Sequence, residues 1–230
     1  MCGFIGVIGV ETAARDIYEG LLAIQHRGQD AAGIITYDGR FHVKKGEGLV
    51  RDIFSAAHFE RLKGDLGVGH VRYPTVGSGG GEDAQPFVVN YPFGIAMAHN
   101  GNVANYEDLR ADLEIRSLRH LYSGCDVEIV LNVFANALAS AASGEFRLDA
   151  YYEAVRSVYA EVRGAYSVVG FVAGRGLFAF RDPYGIKPIA MGRRREGARD
   201  AYAVASESVV LTALGYEVLP QGGDGLVEVG

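Results

Sequence analysis

The chain has 230 residues, 49% of them hydrophobic, and a formal net charge of −6, enough for a large buried core and without the basic footprint of a nucleic-acid binder. Two cysteines do not make a disulfide framework, and the six histidines show no metal-ligand spacing with them, so neither a structural metal nor a cofactor is expected. No apolar run is long enough for a membrane span, and the apolar start, residues 4–10, lacks a basic leader and a cleavage pattern; a cytoplasmic protein is expected.

Residues 3–10 read as a buried strand, and a helix from about 12 to 25 carries Ala13, Ile17, Leu21 and Ile24 on one face. Segments 34–37 and 41–45 flank Asp38-Gly39, a hairpin signal. Residues 50–62 read as helix, 66–72 as strand, and 87–91 with 94–98 as a strand pair around Pro92-Phe93. Helices are predicted at about 106–115, 127–142 and 149–162, the last from Tyr152, Val155 and Tyr159 at helical spacing. Strands return at 165–172, 176–180, 188–192 and 201–205 before a short helix from Ser206, and Arg193-Arg194-Arg195 reads as a solvated turn. Strands, then helices, then strands imply antiparallel sheets covered by segregated helices. No internal repeat or linker divides the chain.

The chemistry-bearing residues fall at the ends of these elements. Cys2 follows the initiator methionine, so removal of Met1 would leave one residue carrying both a thiol and a free α-amine. The thiolate is the nucleophile, and a thiol of pKa about 8.5 is only slightly ionised at neutral pH. An α-amine of pKa about 7.7–8.0 can take that proton directly or through one water. A small buried hydrophobe opening a strand is the alternative role for Cys2. Gln25-His26-Arg27-Gly28-Gln29-Asp30 closes the first helix and also fits a charged last turn that favours the helix dipole. Gly69-His70-Val71-Arg72-Tyr73-Pro74-Thr75-Val76-Gly77 ends a buried strand in an arginine, the residue type that grips a carboxylate by two parallel hydrogen bonds, with Thr75 as a third donor. Residues 76–84 then suit a lid, or 78–83 a flexible surface loop. In Ala98-His99-Asn100-Gly101-Asn102 an amide side chain stands beside a glycine N–H, the two donors of an oxyanion hole, although Asn-Gly also makes a type I′ turn. Ser123-Gly124-Cys125-Asp126-Val127-Glu128 precedes an apolar helix, where Asp126 can cap the helix, bind a substrate ammonium, or do both.

The order and wording of these clusters resemble the glutaminase domain of class II glutamine amidotransferases, which are N-terminal nucleophile hydrolases. Within that group the chain is similar to the amidophosphoribosyltransferases of purine biosynthesis. The resemblance runs from Cys2 to about Gly215 and rests on Met1-Cys2-Gly3, Leu22-Ala23-Ile24-Gln25-His26-Arg27-Gly28-Gln29, Gly69-His70-Val71-Arg72-Tyr73, Ala84-Gln85-Pro86-Phe87, Ala98-His99-Asn100-Gly101-Asn102, Gly164-Ala165-Tyr166-Ser167 and Arg181-Asp182-Pro183-Tyr184-Gly185-Ile186-Lys187-Pro188.

The resemblance implies an α+β fold, a four-layer αββα sandwich of two antiparallel sheets between helical layers, as one glutaminase domain over residues 1–230. It implies an enzyme that hydrolyses L-glutamine through a Cys2 thioester. Asn100 and Gly101 take the oxyanion-hole role, Arg72 with Thr75 the clamp on the α-carboxylate, and Asp126 the acceptor for the α-amine. His26, Arg27, Tyr73 and His99 take supporting roles, and residues 73–85 resemble the loop that closes over glutamine. Cys125 stands where a serine is usual and Pro74 where a small polar residue is usual; neither change removes a catalytic group. The second, phosphoribosyltransferase signature of the purine enzyme is absent from these residues. The expected partner is therefore a phosphoribosyltransferase or another synthase subunit, in an oligomer, with neither nucleic acid nor membrane involved. A glutamine-binding regulatory subunit, service to a glucosamine-phosphate or glutamate synthase, and a hydrolase of the same superfamily acting on another amide are the alternatives.

Overall fold

Two strands buried along their whole length set the architecture: β1 (Gly3–Ile8) and the strand at Leu66–Arg72 have no exposed position. A strand covered on both faces loses the apolar–polar alternation of a surface strand, and that loss gives the sequence its continuous apolar runs. The computed structural model describes residues 2–73 and 81–220 and, as backbone alone, 225–227.

In chain order the elements are β1, α1 (Ala13–Ala23), a single 3-10 turn (Gln25–Arg27), β2 (Ala31–Tyr37), β3 (Phe41–Glu47), α2 (Val50–Ile53), α3 (Ala56–Phe59), β4 (Leu66–Arg72), a second 3-10 turn (Gly81–Asp83), β5 (Phe87–Val89), β6 (Ile95–Val103), α4 (Tyr106–Arg116), α5 (Asp126–Ala142), α6 (Leu148–Glu161), β7 (Gly164–Val172), β8 (Gly176–Arg181), β9 (Ala190–Glu196), β10 (Arg199–Ala205), α7 (Ser208–Ala213), β11 (Glu217–Val218) and β12 (Gly225–Val227). The described residues build one sheet of order β11-β9-β10-β1-β4-β2-β3 and a second of order β12-β8-β7-β6-β5. Every pairing is antiparallel.

The apolar residues sort into three layers of packing between four layers of structure. Ile17 and Leu21 of α1 pack with Ile5, Val7, Val71, Val210 and Leu211 on the outer face of the first sheet. Gly20 lets α1 approach, because a Cβ there would stand 2.6 Å from Ile5 Cδ1. Phe134, Leu138 and Tyr151 of α5 and α6 pack with Val168, Phe178 and Phe180 on the outer face of the second sheet. Phe4, Ile8, Val68, Ala96, Ala98, Val169 and Phe171 fill the space between the sheets. This is the αββα sandwich. Phe134 stacks on Phe178 at 5.2 Å between ring centroids, and truncating so buried an aromatic costs about 3–5 kcal/mol.

Side-chain alternation carries this layering to the site. Phe4 and Ile8 on β1, Leu66 and Val68 on β4, and Ala96 and Ala98 on β6 all face the inter-sheet layer. The two-residue period then aims Cys2, Arg72 and Asn100 at the same layer, and the Gly3–Val71 pairing puts Cys2 beside Arg72.

Three sequence expectations change. The helix expected at 50–62 is two short ones, with Ser55 capping the second in a reciprocal arrangement with His58. Arg193-Arg194-Arg195 is part of β9 and not a turn. Arg194 there binds Asp16 at 2.8 Å and lies 4.5 Å from the Tyr216 ring centroid, whereas Arg193 and Arg195 are exposed, so the run is strand rather than turn but solvated at two of its three positions. Of the surface loop expected at 78–83, residues 78–80 lie outside the described residues, and Asp83 is fully buried rather than at the surface. No helix among the described residues is long and apolar enough to cross a membrane.

Candidate active site

Cys2 precedes the first residue of β1, and its neighbours come from the end of β4. The Tyr73 N–H donates to Cys2 Sγ at 3.5 Å, and the Tyr73 carbonyl lies 3.5 Å from the same sulfur. Burial pushes the thiol pKa up, against the pull of the Tyr73 backbone and the Arg72 cation. The resting group is therefore a thiol, and a nucleophilic role would require a base.

The carbonyl of Cys2 is held by Arg27, whose Nε donates to it at 2.7 Å while its Nη1 reaches Glu207 Oε1 at 2.5 Å. Glu207 arrives there because Ser206 extends the β10–β1 pairing, with Ser206 N–H donating to the Phe4 carbonyl at 3.1 Å and Phe4 N–H to Ser206 Oγ at 3.0 Å. Burial would raise the Glu207 carboxyl, but Arg27 and His26 outweigh it and hold it below its ordinary value. His26 Nε2 stands 3.4 Å from Glu207 with its side chain largely exposed. His26 and Arg27 thus meet in one cluster, and Glu207 completes it. No local pattern marks Glu207, since it lies 180 residues from Arg27.

Arg72 is buried at the end of β4, and its Nη2 donates to Asp83 Oδ2 at 3.3 Å. Asp83 Oδ1 in turn accepts the Gly124 N–H at 3.0 Å. Thr75, the expected second arm of the clamp, lies outside the described residues, as does Pro74.

The second sheet contributes β6, and here the turn reading of Asn-Gly falls away. Asn100 and Gly101 lie inside a strand that continues to Val103 and pairs with Ser167 and Tyr166 of β7. A Cβ on Gly101 would stand 2.7 Å from Tyr166 Cα, so only glycine fits the pairing. The other edge of β6 loses its partner because β5 pairs no further than Met97. On that edge the His99 N–H donates to Gln85 Oε1 at 2.7 Å and the Val103 N–H to Asp126 Oδ2 at 3.0 Å. N–H directions alternate along a strand, so the Gly101 N–H between them leaves by the same edge. Asn100 is buried and lies beside His70, yet its amide makes no well-formed hydrogen bond to any described residue. A buried amide without a partner costs about 1–3 kcal/mol, a cost that a ligand oxygen would relieve.

Asp126 opens α5 without capping it: the cap position is Cys125, and the carboxylate turns instead to β6. His99 Nε2 lies 3.2 Å from Asp126 Oδ1, poorly aligned for a hydrogen bond. Burial would raise the Asp126 carboxyl, but His99 and the backbone N–H groups of Val103 and Asp126 prevail and hold it below its ordinary value. Gln85 Nε2 lies 3.3 Å from His99 Nδ1 and donates to Cys125 Sγ at 3.6 Å. That arrangement assigns the His99 proton to Nε2, facing Asp126. Behind it His70 Nε2 lies 3.1 Å from the His99 carbonyl and donates to it; burial, then the neighbouring His99, pushes the His70 pKa down to about 3. The Cys125 thiol is pushed up to about 12 by burial, with Asp126 adding to the effect. It is an inert neighbour of the site. Among the described residues no cluster of three or more His, Cys, Asp or Glu could hold a metal ion.

The structure therefore brings Cys2, Tyr73, Arg72 and Arg27 together at the end of the first sheet, and Asn100, Gly101, His99 and Asp126 at the end of the second. His26 is at the periphery. Asp83, Gln85 and Glu207 are the partners that sequence reasoning missed.

Comparisons with known proteins place the fold in a family. The model of the glutamine amidotransferase domain family matches residues 71–213. The amidophosphoribosyltransferase of Escherichia coli (strain K12) is 46% identical over 222 residues, 95% of this chain and 44% of that protein. That of Schizosaccharomyces pombe is 44% identical over 221 residues, 94% of this chain and 42% of that protein. Among solved structures, the glutamine phosphoribosylpyrophosphate amidotransferase of B. subtilis, complexed with ADP and GMP, has a TM-score of 0.79 at 31% identity, over 95% of this chain and 44% of that one. A structure described as the allosteric regulatory enzyme of purine biosynthesis has a TM-score of 0.81 at 30% identity, over 99% and 45%. The chain thus spans less than half the length of these relatives. With a cysteine ahead of β1, an αββα sandwich and this likeness along nearly its whole length, the chain belongs to the class II glutamine amidotransferases, in the glutaminase fold of the N-terminal nucleophile hydrolases.

Proposed function

We propose that this chain hydrolyses L-glutamine to glutamate and ammonia, with the amino terminus of Cys2 freed by removal of Met1. The α-amine takes the thiol proton as Sγ attacks the side-chain carboxamide carbon. Negative charge moves to the carboxamide oxygen, where the Asn100 amide and the Gly101 N–H receive it. The tetrahedral adduct collapses as the amine returns the proton to the departing nitrogen, releasing ammonia and leaving a γ-glutamyl thioester on Cys2. Water, deprotonated by the same amine, then cleaves the thioester and frees glutamate. Arg72 with Thr75 holds the substrate α-carboxylate, and Asp126, kept ionised by His99 and backbone donors, holds the α-ammonium. Arg27 fixes the Cys2 carbonyl so that amine and thiol share one orientation, with Glu207 and His26 behind it, and Tyr73 steadies the sulfur.

The observation that carries this reading is the buried Asn100 amide with no well-formed hydrogen bond to any described residue, next to a glycine whose N–H leaves the strand on its open edge. Preorganised donors of this kind are worth about 10²–10³ in kcat each. The purine-type relatives support an ammonia acceptor of the phosphoribosyltransferase class, as the remainder of a longer chain or as a partner, within purine biosynthesis. Intact mass with a glutaminase assay tests the proposal. Active protein should lack Met1, and Asn100→Ala should lose about 10²-fold or more in kcat with KM little changed. Full activity with Met1 retained would remove the α-amine from the mechanism, and an active Asn100→Ala would remove the oxyanion hole.

A further inference from the structure

Asp83 takes no part in the chemistry just described, yet it is fully buried and touches both halves of the site. Its Oδ2 accepts from Arg72 at the end of β4, in the first sheet, at 3.3 Å. Its Oδ1 accepts from the Gly124 N–H at 3.0 Å, two residues before Asp126 at the start of α5. Those two anchors belong to opposite layers of the sandwich and share no strand or helix. Sheet hydrogen bonds fix the position of Arg72 relative to Cys2, and the Val103 N–H fixes Asp126 relative to Asn100. Across the gap between the anchors, the Asp83 carboxylate provides a direct tie through a single side chain.

We propose that Asp83 is a positioning residue that sets the separation between the carboxylate-binding Arg72 and the ammonium-binding Asp126, and so selects α-amino acids with both charged ends. The inference rests on the proposed glutaminase reading. Its physical content is that a strut between two anchors matters only to a ligand that uses both at once. An amide carrying one charged end binds its own anchor wherever that anchor settles, whereas an α-amino acid gains from the second contact only when the two stand at the right distance.

The test compares three substrates on the full chain freed of Met1: glutamine, 4-aminobutanamide, which lacks the α-carboxylate, and glutaramate, which lacks the α-ammonium. Asp83→Asn keeps the shape but satisfies only one of the two donors. It should raise the KM for glutamine about tenfold or more with kcat little changed, while kcat/KM for both one-ended amides stays within about twofold of wild type. Asp83→Ser repeats the comparison should the Asn protein not accumulate. An equal fall for all three substrates, unchanged kinetics for glutamine, or failure of both variants to fold would mean a purely structural carboxylate and overturn the inference. Wild-type protein that hydrolyses none of the three would overturn the glutaminase reading and the inference with it, so the two failures are distinguishable.

Discussion

Gly101→Ala should damage the fold and the chemistry by separable amounts. The new Cβ would stand 2.7 Å from Tyr166 Cα and closer still to the Ala165 carbonyl oxygen, against 3.4 Å or more in ordinary packing. Strands β6 and β7 must open locally by about 0.7 Å to relieve the overlap with Tyr166 alone, and both obstacles are backbone that cannot swing aside. Overpacking costs about 1–3 kcal/mol, and a backbone obstacle belongs at the top of that range. At roughly 2–4 °C per kcal/mol for a domain of this size, the thermal midpoint should fall by about 6–12 °C. The same opening moves the Gly101 N–H, and losing one oxyanion donor costs about 10²–10³ in kcat. Gly20→Ala is the matched control: its Cβ would meet Ile5 Cδ1 at 2.6 Å, in the outer layer away from the site. Thermal denaturation by circular dichroism, with glutaminase kcat measured well below both midpoints, separates the effects. If Gly101→Ala keeps a kcat within about threefold of the Gly20→Ala value, the Gly101 N–H does not bind the oxyanion.

Arg72→Ala should lower kcat/KM for glutamine by about 30- to 1000-fold, chiefly through KM, because a charged contact in a desolvated site is worth roughly 2–4 kcal/mol; unaltered steady-state kinetics would refute the clamp. His70 gives the fold an acid sensitivity. Its folded pKa of about 3 lies below the ordinary value of 6.5, so as pH falls the unfolded chain takes up the proton first. The contribution of neutral His70 is complete above about pH 6.5 and drains between 6.5 and 3, by about 2 kcal/mol at pH 5 on 1.36 kcal/mol per unit. His70→Gln, which keeps a donor for the His99 carbonyl, should flatten that slope in urea unfolding at pH 7.5 and pH 5; equal slopes in the two proteins would contradict it.

Much of this site was legible because its residues are strand and helix ends, and element ends are where local sequence is most explicit. Arg72 closes an apolar run, Asp126 opens a long apolar helix, and Cys2 is fixed by position alone. What stayed hidden was whatever depends on partners remote in sequence. Glu207 joins Arg27 through the β10–β1 register, and no periodicity around Ser206 announces it. Asp83 sits in a glycine-rich stretch whose composition argues for solvent, and the remote donors Arg72 and Gly124 account for its burial among the described residues. Asn100-Gly101 has the composition of a turn, and the β7 backbone packed against Gly101 makes it strand instead. Arg194 was hidden likewise, because a run of three arginines reads as solvated until Asp16 and Tyr216 are folded onto it. The 50–62 segment failed for a local reason: Ser55 and His58 cap a new helix where hydrophobic content alone continued the old one.

The division of the site between two sheets has a mechanical consequence. Cys2 and Arg72 are carried by β1 and β4, while Asn100 and Gly101 are carried by β6. Under the proposed reaction, the nucleophile and the donors that would receive its oxyanion are therefore held apart by the packing between the sheets rather than by any one strand. That packing is close: at Gly6 a Cβ would stand 2.6 Å from Val169 Cγ2 and 2.8 Å from Leu177 Cδ1. Phe4, Ala96, Ala98 and Phe171 continue the layer, and the His70-to-His99 hydrogen bond ties the sheets at the site end. Protein interiors of this density transmit rather than absorb small displacements. The proposed reaction, which needs Sγ, the amide carbon and two donors aligned within a fraction of an ångström, would thus depend on apolar residues far from the chemistry as well as on the polar groups at the edge of the inter-sheet layer.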